Sequence, residues 1–142
     1  MTVISEALIE VRMYDEPGYM PLIDYESWRV ALLNYIAELL PENINQMQKH
    51  AETDEVFILL AGHCILFLGE GDERVTGIHA VDMELYKLYN VKRGAWHSHT
   101  LSEDAKVLIV ENRDTTLENS PLVDLSESQR REIVELTKKL WK

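Results

Sequence analysis

An all-β fold, an antiparallel β-barrel with added helices, is what three features of the chain predict. Short apolar runs recur at a spacing of 8 to 12 residues with turn signals between them. Two of those runs, Glu55 to Leu60 and Cys64 to Leu68, flank the short turn Ala61-Gly62-His63 and read as a hairpin apolar on much of both faces. The end of the chain has a different period: Ser126-Glu127-Ser128-Gln129 has the form of a capping box, followed by a helical apolar stripe.

Taken in order, residues 1–26 read as an N-terminal extension, with a turn forced by Pro17-Gly18. From Trp28 to Tyr35 two templates compete. Extended to Leu40 the segment is an amphipathic helix, while Trp28, Val30, Leu32 and Asn34 also alternate as in a strand, and periodicity alone leaves helix slightly ahead. Pro41-Glu42 is a suitable first turn for a short helix running to about Gln48. After the hairpin, Gly69 to Glu73 form a polar turn, and shorter strands are expected at Val75–Ala80 and Met83–Leu88. A turn at Lys92-Arg93-Gly94 leads into Trp96-His97-Ser98-His99, and Lys106 to Glu111 gives a further strand. A helix over about 126–141 then presents Ile133, Leu136, Leu140 and Trp141, with acids early and lysines late to match its dipole. No linker or repeat divides residues 1–142, which are expected to fold as one domain, with the barrel at about 27–112.

Composition narrows the function. Fourteen Lys and Arg against 25 Asp and Glu give a formal charge of −11, the wrong sign for a nucleic-acid partner. The longest apolar run, Val56 to Gly69, is broken by His63 and is shorter than the roughly 20 residues of a membrane span. The opening Met-Thr-Val-Ile-Ser-Glu lacks the features of a secretory signal and a lone Cys64 makes no internal disulfide, so a cytoplasmic protein is expected. Nucleophile-elbow glycines, a phosphate-cradling loop and a CxxC pair are absent from the sequence, which leaves serine hydrolysis, nucleoside-triphosphate chemistry and finger-type zinc without support.

Five histidines remain to be weighed. In a small barrel alternate side chains point inward, so His50 and Glu55 can meet His97 from a strand more than forty residues on. Two imidazoles and a carboxylate offer three lone pairs to a divalent ion and leave positions for water, dioxygen or substrate; solvated or hydrogen-bonded side chains are the plainer alternative. His99 shares a face with His97 and is a fourth ligand, a proton carrier or, the plainer reading, a histidine at the barrel's rim. His63, in the hairpin turn, and His79 are expected to be solvent-facing or packed, and Cys64 to be a small core residue. Trp96 and Tyr86 read as apolar walls of a ligand cavity or as core.

At these residues the chain resembles the cupin superfamily. His50, four residues, Glu55, six residues and Gly62 fit the second half of that family's first motif. Lys92-Arg93-Gly94-Ala95-Trp96-His97 fits its second, Pro-x-Gly-x-x-His, with lysine in the proline slot. The resemblance implies a jelly-roll β-barrel, makes Trp28 to Tyr35 a strand, and assigns His50, Glu55 and His97 as ligands of one divalent metal ion, with iron, manganese, nickel and zinc not distinguished. The chain departs from the pattern where the family has its first histidine, here Gln48, at the opening glycines, here Glu42 and Tyr86, and at the closing asparagine, here Leu101. The expected function is metal-dependent action on a small polar metabolite, of isomerase, lyase or dioxygenase type. A non-catalytic pocket for a sugar or organic acid is the alternative, a structural or interaction module pairing with a second subunit through a sheet edge or the N-terminal extension is a third reading, and a homodimer is compatible with all three.

Overall fold

The computed structural model describes residues 3–142. Its strands are β1 (Gly18–Tyr25), β2 (Trp28–Asn34), β3 (Gln46–Gln48), β4 (Glu55–Ala61), β5 (Cys64–Glu70), β6 (Gly77–Asp82), β7 (Leu88–Val91), β8 (Trp96–Leu101), β9 (Lys106–Asn112) and β10 (Leu122–Asp124), followed by helix α1 (Glu127–Leu140). They form two five-stranded sheets, ordered β1-β2-β9-β4-β7 and β10-β3-β8-β5-β6. Every pairing between these strands is antiparallel. The expected barrel thus takes the form of two facing sheets, with α1 as a third layer.

Alternation along the strands explains this layering. On β2, β4 and β9 the odd-numbered side chains Ala31, Leu33, Phe57, Leu59, Val107 and Ile109 enter the core between the sheets, where they meet Cys64 and Leu66 of β5. The even-lying neighbour on β4, Val56, is only half-buried. β5 is apolar on both faces because it has a layer on each side: Cys64 and Leu66 face the first sheet, while Ile65 and Phe67 pack with Ile133 of α1. Buried area of this kind stabilises by roughly 25 cal/mol per Å² of apolar surface. At the β4–β5 turn Gly62 has φ +70, and a Cβ there would lie 2.6 Å from the Ala105 backbone, so both conformation and space require glycine.

Helix α1 begins with the predicted capping box. Gln129 N–H donates to Ser126 Oγ (3.2 Å) and Ser126 N–H to Gln129 Oε1 (2.9 Å). Ile133 is buried as predicted, but Leu140 is exposed and Thr137 takes its place on the packed face, its hydroxyl satisfied by the Ile133 carbonyl at 2.8 Å.

Trp28 to Asn34 is the strand that the family resemblance implies, against the slight helical lead in periodicity, because β1 and β9 hydrogen-bond it on both sides. Other elements differ from expectation. The helix expected from Pro41 to Gln48 is a single 3₁₀ turn, Pro41–Asn43, after which pairing with β10 and β8 draws residues 46–48 into β3. The strand expected at Met83–Leu88 is a loop in which Tyr86 takes φ +65; extended structure resumes at Leu88. The sheet also begins earlier than residue 27. β1 lies inside the segment read as an extension, where Pro21 is tolerated because β1 is an edge strand with a bulge between Pro21 and Ile23.

Candidate metal centre

Toward one end of the space between the sheets, the inward positions of β4, β8 and β9 change from hydrocarbon to ionisable groups. Glu55 opens β4, His97 is the second residue of β8, and His50 follows β3 by two residues. His50 is held by its backbone: its carbonyl accepts the Gly94 N–H at 2.8 Å, which ties it to the turn that feeds His97. All three side chains are buried. A nitrogen or oxygen from each lies within 4.8 Å of the others, so the residues singled out from the sequence do come together.

Hydrogen bonds settle how the rings face. His97 Nδ1 lies 3.1 Å from the Ala95 carbonyl, an acceptor only, so Nδ1 carries the proton. His50 Nδ1 lies 2.7 Å from Ser120 Oγ, whose own hydroxyl donates to Asn119 Oδ1 at 3.2 Å, so this Nδ1 is again the donor. With the rings neutral, both Nε2 atoms therefore turn lone pairs toward Glu55 Oε1, at 3.1 Å from His50 and 2.9 Å from His97, and a ring that gains a second proton donates to that oxygen instead. Three acceptors facing one another repel unless a proton or a cation lies among them.

The electrostatics agree with that geometry. Burial opposes charge on His50, but the hydrogen bond and negative charge of Glu55, with Glu111 beyond, outweigh it and hold the imidazole pKa above its ordinary value. Burial would raise Glu55, yet its bonds to His50 and His97 keep it well below the usual carboxylate range. Those directions describe a carboxylate that favours positive charge on the nitrogens beside it, and with the rings neutral two imidazole nitrogens plus a carboxylate are a donor set suited to a divalent transition ion.

Around this trio stand residues that the sequence reading did not single out. Glu111, the inward residue near the end of β9, is buried beside His50, with 3.8 Å between Oε2 and His50 Nε2. Arg29 of β2, directly opposite Glu111 in register, bonds its Oε1 at 2.9 Å, and the Tyr19 hydroxyl of β1 donates to the same oxygen. Burial and then the charge of Glu55 push the Glu111 pKa up. A charged residue at the parity of Val107 and Ile109 was the available signal for Glu111.

The remaining candidates fall as follows. His99 lines the same cavity, not the rim: its ring packs on Phe57 at 5.6 Å, its Nδ1 is buried without a partner among the described residues, and burial, then His97, lowers its pKa to about 4. Gln48 also lines the cavity, but its amide nitrogen donates to the Ser120 carbonyl at 3.1 Å. His63 and His79 are exposed, the latter paired with Glu70 at 3.1 Å, and Cys64 is a buried free thiol. Neither aromatic wall forms. Trp96 packs outward in the cluster under α1, and Tyr86 is exposed in its loop. The cavity, about 660 Å³, is walled instead by Leu33, Leu39, Ile44 and Ile109. No helix among the described residues is long and apolar enough to cross a membrane.

Comparison with protein-family models and with curated proteins gives no match. Solved structures do match. A cupin-2 domain protein from Shewanella frigidimarina is 19% identical over 70% of this chain and 85% of its own, with a TM-score of 0.49. The nucleoside dehydratase Pac13 is 11% identical over 82% of this chain and 88% of its own, at 0.56. A tyrosine variant of the Streptomyces protein with uridine reaches 0.57 at 12% identity, over 91% of this chain and 98% of that one. Identities this low establish architecture and nothing further, and with the facing sheets and the motif residues in place the architecture is clear: this chain has the fold of the cupin superfamily.

Proposed function

We propose that the protein holds one divalent metal ion through His50 Nε2, Glu55 and His97 Nε2 and acts on a small polar metabolite in the adjoining cavity. The observation that carries this is the commitment of both Nδ1 atoms to hydrogen bonds, which leaves two lone pairs and a carboxylate facing one centre. Such an ion would supply Lewis-acid polarisation of a carbonyl or enediol, as in isomerase and lyase chemistry, or dioxygen activation if it is iron. Iron, manganese, nickel and zinc each accept this donor set.

The chain's own groups limit the substrate. A cavity of about 660 Å³ with an aliphatic wall suits a molecule between a monosaccharide and a nucleoside; the uridine held by the Streptomyces relative in fold is of that size. Glu38, Glu55 and Glu111 line it, and Arg29, the guanidinium at the cavity, is already paired with Glu111. A neutral polar molecule is favoured over an acid.

Elemental analysis of protein purified without added metal tests the reading. About one ion per chain is expected, with none in His97→Ala. Metal-free wild-type protein that also takes up no added ion, or full retention by the variant, rejects it.

The same reading includes a homodimer. Val3, Leu8, Val11 and Met13 lie exposed along the N-terminal segment, and β1 is an open sheet edge beside it. Sedimentation across a dilution series should show a dimer dissociating to monomer; a monomer at every concentration removes this part.

A further inference from the structure

We propose that Glu111 is a fourth donor to the cation, so that the centre is a set of two histidines and two carboxylates with Tyr19 and Arg29 as its positioning residues. This rests on the metal-binding reading above and adds a ligand that neither the motif spacing nor the three-residue cluster contains.

One oxygen of Glu111 has no hydrogen-bond partner among the described residues. The Glu111 side chain is 3% exposed, and its two oxygens are treated very differently. Oε1 accepts from the Tyr19 hydroxyl and from both Nε (3.3 Å) and a terminal nitrogen (2.9 Å) of Arg29. Oε2 is buried and meets no donor among the described residues. An unsatisfied buried carboxylate oxygen is costly, more so when the group is ionised.

Changing the protonation of His50 does not relieve it. With Nδ1 committed to Ser120, a proton on His50 Nε2 lies nearer Glu55 Oε1, at 3.1 Å, than Glu111 Oε2, at 3.8 Å. A cation shared by His50 and Glu55 satisfies all of these acceptors at once, since Oε2 is on the His50 side of the cluster. Placing the hydrogen-bond donors on one oxygen leaves the other free in a fixed direction, which is how outer partners orient a ligating carboxylate. Charge points the same way: two buried carboxylates stand against one guanidinium, and a divalent ion reverses that deficit. Gln48, in the slot where the family has a histidine, keeps its amide nitrogen on Ser120, so the additional donor comes from β9 instead.

Cobalt(II) and manganese(II) are the probes, added to the metal-free full-length protein. Cobalt reports coordination through its visible absorption bands, and manganese affinity is read by titration. Glu111→Gln is expected to lower manganese affinity about 100-fold or more and to alter the cobalt bands, whereas Tyr19→Phe lowers affinity about 10-fold and leaves the bands in place. The double variant Arg29→Met with Glu111→Met, which removes the carboxylate together with its buried partner, gives the Glu111→Gln result if the single variant does not fold. Unchanged bands in a folded Glu111 variant overturn the proposal, whether affinity falls or not, and leave the three-residue site standing. Absence of any cobalt or manganese uptake by wild-type protein overturns both.

Discussion

Along β4 the inward side chains run Glu55, Phe57, Leu59; along β8 they run His97, His99, Leu101; and along β9, which lies antiparallel, they run Glu111, Ile109, Val107 from the same end. Three strands thus line one space whose two ends have opposite chemistry. At the hydrocarbon end Phe57, Leu59, Leu66 and Val107 close on one another with almost no exposure. Near the other end ionisable groups crowd together, and two buried polar atoms, His99 Nδ1 and Glu111 Oε2, have no hydrogen-bond partner among the described residues. Close-packed hydrocarbon is self-sufficient, whereas a crowd of acceptors needs a proton or a cation among them. The difference teaches that the packed core occupies one end of the space and the candidate site the other.

The largest effect that separates the two ends is on stability. Phe57→Ala should cost about 3–5 kcal/mol, the transfer of a ring plus the void it leaves. Replacing the polar pair together, His97→Leu with Glu55→Met, should change the stability of the metal-free protein by only about 1 kcal/mol, since exchanging both partners of a buried hydrogen-bonded pair for hydrocarbon is often nearly neutral. Urea unfolding of the two variants measures the contrast, and comparable losses would show that the polar end supports the fold as much as the core does.

A smaller effect concerns the turn that closes the hydrocarbon end. Ser102 Oγ donates to Asp104 at 2.7 Å, and that bond, with the Asp104 amide, holds the carboxyl below its usual range. A depressed carboxylate stabilises the fold above its unfolded pKa, about 4, and this contribution is lost as pH falls through the lower folded value. Asp104→Asn should therefore flatten the acid limb of the melting-temperature profile below about pH 4. The group is exposed and the shift is expected to be slight; a profile unchanged below that pH would mean this end owes nothing to charge.

Much of this was legible in the chain. Two-residue alternation placed Glu55–Leu60 and Lys106–Glu111 as strands, and the hairpin about Gly62 and the Ser126 cap needed only local rules. His50, Glu55 and His97 were found through the spacing of a family's motif, not through any visible proximity. Tyr19 and Arg29 left no such trace. Tyr19 lies in an edge strand whose bulge and Pro21 hide its alternation, and Arg29 lies in a segment whose helical and strand readings were nearly equal. Trp96, read as either cavity wall or core, is core: it is one residue from His97 and so on the opposite face, packed beneath α1.

By itself the sequence determined which short segments were apolar, how they alternate, where turns and the helix cap must fall, and that a net charge of −11 disfavours nucleic acid. These are local properties, set by backbone geometry and by the side chains of neighbouring residues. Only the tertiary structure decided that β1 and β9 flank residues 28–34, that Ser120 fixes the His50 ring, and that Arg29 stands opposite Glu111. The last two join residues seventy or more positions apart, and where strands pair a slip of one in register would turn every side chain to the other face.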